Sequence, residues 1–209
     1  MKQFLIFFLA GGWLCWSACR NAAGPAAPSP GTDSLSNKDS ASNVFFPVAD
    51  YLRSEILYVD STPLAIYKYT IQNNHRDTVL ISQTDFNKLA GEFLPAELAP
   101  ESLQRNYQES SFMDKSTKSA TFTYSTTDKA LSMQRLDVLT GAGFRGSNEV
   151  KSIYMERSVV SGDTTSFRKM LWKSKHRFQI FTRMNIRGQS PVERQLTVVW
   201  DDRDEDGDQ

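Results

Sequence analysis

The feature that most restricts this chain is the period of its second half. "RFQIFTRMNIR" places Phe178, Ile180, Met184 and Ile186 on one side of an extended segment. "VERQLTVVW" does the same with Val192, Leu196, Val198 and Trp200. Upstream, "SATFTYS", "ALSMQRLDVLT", "EVKSIYMERSVV" and "TSFRKMLWK" are rich in Thr, aromatic and β-branched residues. In the third of these, Ile153, Met155 and Val159 alternate with Tyr154 and Glu156. A period of two puts alternate side chains on opposite faces, which only a strand tolerates. The links are short and polar: Gly162-Asp163, Ser174-Lys175 and Gly188-Gln189-Ser190. Consecutive alternating strands with such links form an antiparallel meander.

The first half has a different period. After Pro47, Val48, Leu52, Ile56 and Val59 recur at helical spacing, and Pro at the start of a helix forfeits no hydrogen bond. "STPLAIYKYTIQ" and "VLIS", around the turn "NNHRDT", read as a hairpin. Phe86, Leu89, Ala90, Phe93 and Leu94 then define an amphipathic helix, with Thr84 as its N-cap, Ser82 as the alternative, and Pro95 as its end. Pro100 opens a further short helix carrying Leu103 and Tyr107. Helices first and strands after predict an α+β fold, with N-terminal helices packed on a curved antiparallel β-meander sheet. The expected core is Phe86, Leu89, Phe93, Ile153, Met155, Phe178, Ile180, Leu196, Val198 and Trp200. No internal repeat is evident.

The N-terminus gives an address. Lys2 precedes an apolar run, Phe4 to Leu9 and Trp13 to Trp16, which is too short to span a bilayer and ends on Ser17-Ala18-Cys19. A charged head, an apolar centre and small residues at the end make a signal peptide over 1–18. Ser17, Ala18 and Cys19 resemble the lipobox of bacterial lipoproteins, although Trp16 stands where that pattern usually has Leu. The resemblance implies cleavage before Cys19, acylation of Cys19 and a membrane partner held through that anchor. The segment after the cysteine, Arg20-Asn21, carries neither an acidic run nor an aspartate in second place. By the same resemblance this implies an outer-membrane lipoprotein facing the periplasm. Only two cysteines occur, Cys15 and Cys19. The mature domain would therefore have none for a disulfide, and its core alone would hold it.

Residues 20–43, "RNAAGPAAPSPGTDSLSNKDSASN", contain almost nothing large and apolar. Such a segment cannot bury enough surface to offset its ordering entropy and reads as a tether of roughly 25–30 Å. The expected organisation is thus a signal peptide over 1–18, a lipidated cysteine and tether over 19–43, a single α+β domain over 44–200 and a disordered acidic tail over 201–209.

Two motifs invite over-reading. "GAGFRG" fits G-x-G-x-x-G through Gly141, Gly143 and Gly146, but a strand pattern rather than a helix follows it. Without a helix N-terminus to receive a pyrophosphate it reads as a hairpin loop. The metal candidate is the tail, where Asp202, Asp204, Asp206 and Gly207 open like a calcium loop. No glutamate follows at the closing position, so the tail reads as solvated and no metal site is expected. The only histidines, His75 and His176, fall in predicted turns. No G-x-S-x-G, H-E-x-x-H or paired-cysteine spacing occurs, and no motif calls for a cofactor.

The formal net charge is zero but unevenly placed. Between Arg145 and Arg194 there are eleven Lys or Arg and four acids, and between Asp201 and Asp208 six acids and one Arg. Arg168, Lys169, Lys173, Lys175, Arg177, Arg183 and Arg187 are the candidates for a face that meets an anionic lipid or an acidic protein. A nucleic-acid partner is not expected, since the leader directs the chain out of the cytoplasm. The sequence supports a non-catalytic binding or scaffold module in the envelope, with room in such an architecture for a cleft that takes an apolar or lipid-like ligand. That likeness to periplasmic lipoprotein carriers is architectural only. The alternative is an envelope hydrolase whose active site is assembled in space.

Overall fold

The hairpin over residues 66–81 shows how closely local chemistry sets this structure. Asn73 and Asn74 both adopt left-handed backbone, with φ of 51° and 61°. Two such residues make the tight turn whose twist matches that of the flanking strands, and Asn tolerates the conformation. Strand β1 (Ile66–Gln72) is thereby folded onto β2 (His75–Ile81), with Gln72 opposite His75. His75 therefore opens a strand rather than lying in the turn.

The computed structural model describes residues 45–142 and 148–201, all within one unit spanning 41–209. The expectations for the leader, Cys19, the tether, Gly143, Gly146, Asp202, Asp204 and Asp206 lie outside the described residues. Helix α1 (Val48–Ser61) follows Pro47 and stops where Thr62 turns extended. Helix α2 (Gln83–Ala90) is capped by Ser82, whose hydroxyl accepts from the Asp85 amide at 3.1 Å and donates to the Asp85 carboxylate at 2.8 Å. Thr84 lies inside the helix, so the cap is the alternative of the two. Tight turns at Gly91–Phe93 and Ala96–Leu98 lead to helix α3 (Pro100–Asn106).

Seven strands follow: β3 (Gln108–Asp114), β4 (Ser119–Ser125), β5 (Met133–Ala142), β6 (Asn148–Ser161), β7 (Thr164–Lys173), β8 (Arg177–Ile186) and β9 (Val192–Val199). They form one antiparallel sheet in the order β2-β1-β9-β8-β7-β6-β5-β4-β3. The domain is a sheet-rich α+β fold with few helices. From β3 to β9 it is a meander, and β1 closes onto β9.

Register sorts the side chains. One rung on the helix-bearing face runs Val198, Phe178, Trp172, Ile153, Val138 and Phe122. The next runs Leu196, Ile180, Met170, Met155, Leu136 and Tyr124. Phe86 of α2 and Phe93 just beyond it meet this face. Phe86 has its ring 5.4 Å from Trp200 and 5.9 Å from Phe178, and Phe93 lies 5.2 Å from Trp172. Nine of the ten expected core residues are buried. Leu89 is half-buried, packed against the core from its edge.

Helix α1 is fastened by polar contacts. Buried Glu55 accepts from the Trp172 indole at 3.3 Å and from the Lys175 amide at 2.7 Å. The Tyr51 hydroxyl donates to Ser174 at 2.6 Å, and burial pushes its phenol well above the ordinary range. A buried carboxylate is tolerable when its lone pairs are met in this way.

The β3–β4 turn is held by one carboxylate. Asp114 accepts from the Ser116 hydroxyl at 2.6 Å, the Ser116 amide at 2.8 Å and the Thr117 hydroxyl at 2.9 Å. The Ser116 hydroxyl, then its amide and Thr117, hold the Asp114 carboxyl down from 3.8 to about 2. A depressed folded pKa means the bonds are complete above the ordinary carboxylate range and are lost as pH falls through about 2. NMR titration of Asp114 should give that low midpoint, and Ser116→Ala should move it back toward the ordinary value. An unshifted Asp114 in the native chain would disprove the arrangement.

Candidate functional site: the open face of the sheet

The face away from the helices is built by the complementary set of residues on the same strands. One rung runs Tyr67, Val199, Arg177, Lys173 and Ser152. The next runs Tyr69, Thr197, Gln179, Leu171, Tyr154 and Asp137. A third runs Ile71, Gln195, Phe181, Lys169, Glu156 and Arg135. Beyond it Arg183 stands beside Phe167. Tyr67, Tyr69, Phe167, Leu171 and Phe181 are each between 36% and 46% exposed, an unusual run of large apolar surface on neighbouring strands.

Charge is graded across this face. Toward β5 and β6 the carboxylates are engaged: Asp137 takes both the Arg135 guanidinium at 2.9 Å and the Thr123 hydroxyl at 2.7 Å, and Glu156 accepts from Tyr154 at 2.6 Å. Toward β7, β8 and β2 the cations gather. A groove of about 390 Å³ is lined there by Tyr69, Arg76, Lys173, His176, Arg177 and Asp201, among others.

Four of the seven expected basic residues, Lys169, Lys173, Arg177 and Arg183, share this face. Arg183 is 3.6 Å from Glu193. Lys175 sits in the β7–β8 turn, its ammonium 4.0 Å from Glu149, and Arg187 lies just past β8, 3.6 Å from Asp163. Arg168 does not belong to the set. It points to the helix-bearing face and pairs with Glu92, because neighbours in a strand face opposite ways and Lys169 takes the open side. Arg157 lies opposite it, giving hydrogen bonds to the Glu92 carbonyl and the Ser132 hydroxyl. These two arginines tie the turn after α2 to the sheet.

Arg76, Tyr67 and Tyr69 were not singled out in the sequence. They reach the site because β1 pairs with β9, a long-range contact with no local signal. Among the described residues no three His, Cys, Asp or Glu gather in a way that could hold a metal ion, and no helix is long and apolar enough to cross a membrane. Fold and face together define an antiparallel α+β domain with a basic, aromatic open surface. No family model matches the chain, and neither does any curated protein or solved structure.

Proposed function

We propose that this chain is an envelope lipoprotein whose folded domain is a non-catalytic binding module. Cys19 carries the acyl chains on the periplasmic side of the outer membrane, residues 20–43 form the tether, and the helices cover one side of a curved meander. The other side rests on anionic lipid headgroups. The observation that supports this reading is the mixing of half-exposed rings with cations on one face: Phe181 beside Lys169 and Phe167 beside Arg183, with Tyr67 on the same rung as Arg177 and Lys173, across Val199. Aromatic rings settle at the level of the headgroups, and each Lys or Arg near an anionic surface contributes about 1 kcal/mol. A tether this short keeps the domain within reach of the bilayer that holds its anchor.

Vesicle co-sedimentation of the unlipidated chain, from residue 20 onward, tests the proposal. It should bind phosphatidylglycerol vesicles, release them at high salt and ignore neutral phosphatidylcholine. Lys173→Gln with Arg177→Gln should weaken binding roughly 30-fold, as expected for two surface cations. Equal binding to both vesicle types, or no change in the double variant, would refute the lipid-facing assignment.

A further inference from the structure

We propose a second binding site, on the helix-bearing face, for a single alkyl or acyl chain that ends in an anionic head. The helices reach over β5 to β9 but leave the β3–β4 end of that face open as a cleft of about 470 Å³. This is within the range of roughly 300–1,000 Å³ typical of small-ligand pockets. The register explains its shape. Met113, Ala120 and Thr140 form one rung across β3, β4 and β5, with Phe122 on the next. Phe46 forms the facing wall.

The interior of the cleft is apolar and preformed. The Phe46 amide is held by the Tyr124 hydroxyl at 3.0 Å, which fixes that wall. The Thr140 hydroxyl donates to the Ala120 carbonyl at 3.2 Å, so its proton is already committed within the floor. Met113 is 68% exposed, a flexible apolar side chain suited to closing on a chain of variable shape.

The mouth differs in kind from the floor. Lys115 and Lys118 stand on the β3–β4 turn that rims it. Among the described residues that line it, the one carboxylate, Asp114, is occupied by Ser116 and Thr117. An apolar slot beneath two ammonium groups matches an amphiphile with an anionic head. The cleft on the other side of Phe46, about 400 Å³ in volume, lacks this selectivity. Its rim charges, Asp50 and Arg53, neutralise each other at 2.7 Å.

The test is calorimetric titration of the unlipidated chain with dodecyl phosphate and with neutral dodecyl maltoside, both below micelle formation. Dodecyl phosphate should bind saturably and more tightly than the maltoside. Lys115→Gln with Lys118→Asn, the latter because Lys118 has φ of 50° and Asn accepts that backbone, should weaken the phosphate about tenfold and leave the maltoside unchanged. Ala120→Trp should fill the floor and block both. Met113→Ser, at an exposed position that does not threaten folding, should weaken both. Absence of saturable phosphate binding below about 100 μM would overturn the proposal. So would unchanged affinity in Met113→Ser, or loss of affinity in the open-face variant Lys173→Gln with Arg177→Gln, which would move the site to the other side of the sheet.

Discussion

Phe93→Ala is expected to lower the free energy of unfolding by about 3–5 kcal/mol, as for other buried aromatic truncations. The Phe93 ring is fully buried and lies 5.2 Å from Trp172 and 5.3 Å from Phe178. Its neighbours have little freedom to close the hole. Trp172 is stacked on Phe178 and hydrogen-bonded to Glu55, and the turn that carries Phe93 is tied to the sheet by Arg157 and Arg168. The loss should therefore combine the transfer term with an unfilled cavity. Urea unfolding followed by tryptophan fluorescence measures it. Leu57→Ala, at a position 65% exposed, is the control and should stay within about 0.5 kcal/mol of the native chain. A loss below about 1 kcal/mol for Phe93→Ala would place the helical segment outside the core.

Cys19→Ala is expected to shift the protein from the membrane fraction to the soluble fraction. On the lipoprotein reading, several acyl chains on one residue supply the anchor, whereas a single chain binds only marginally. If the open face meets anionic headgroups as proposed, it adds a weaker, salt-sensitive attraction, and release of the variant should be complete only after a high-salt wash that screens those charges. Mass spectrometry of the native protein should find a diacylglyceryl adduct on Cys19. A Cys19→Ala protein that resists the wash would refute acyl anchoring at this residue.

Strands β5 to β9 were legible because alternation and burial coincide along much of their length, as where Ile153 and Met155 face the core while Tyr154 and Glu156 do not, and β4 was legible from its Thr and aromatic residues. Strand β3 escaped notice for the opposite reason. It is an edge, six of its seven residues are exposed, and the adjacent Phe112 and Met113 are both bare, so no period of two survives. The cleft proposed beside it was hidden with it. Helix α2 was evident from Phe86, Leu89 and Ala90, but it ends at Ala90 and a tight turn carries Phe93, so the expected end at Pro95 was too late, and its cap depended on which hydroxyl meets the Asp85 amide. The basic face was only partly legible. A count of charges along the chain cannot separate Arg168 from Lys169, although the strand period does, and nothing local brings Arg76 toward Lys173.

The pairing of β1 with β9 also has a kinetic side. Tyr67 is matched with Val199, nearly the full length of the described chain away. Until the last strand exists, the first hairpin has no other strand to pair with, and a lone two-stranded ribbon is marginal in water. Closing so long a loop is slow as well as late, since its entropy is lost before any contact is gained. A ribosome-bound chain thus stays open until its C-terminal strand has been made. If the leader threads it outward during synthesis, the sheet is completed only on the far side.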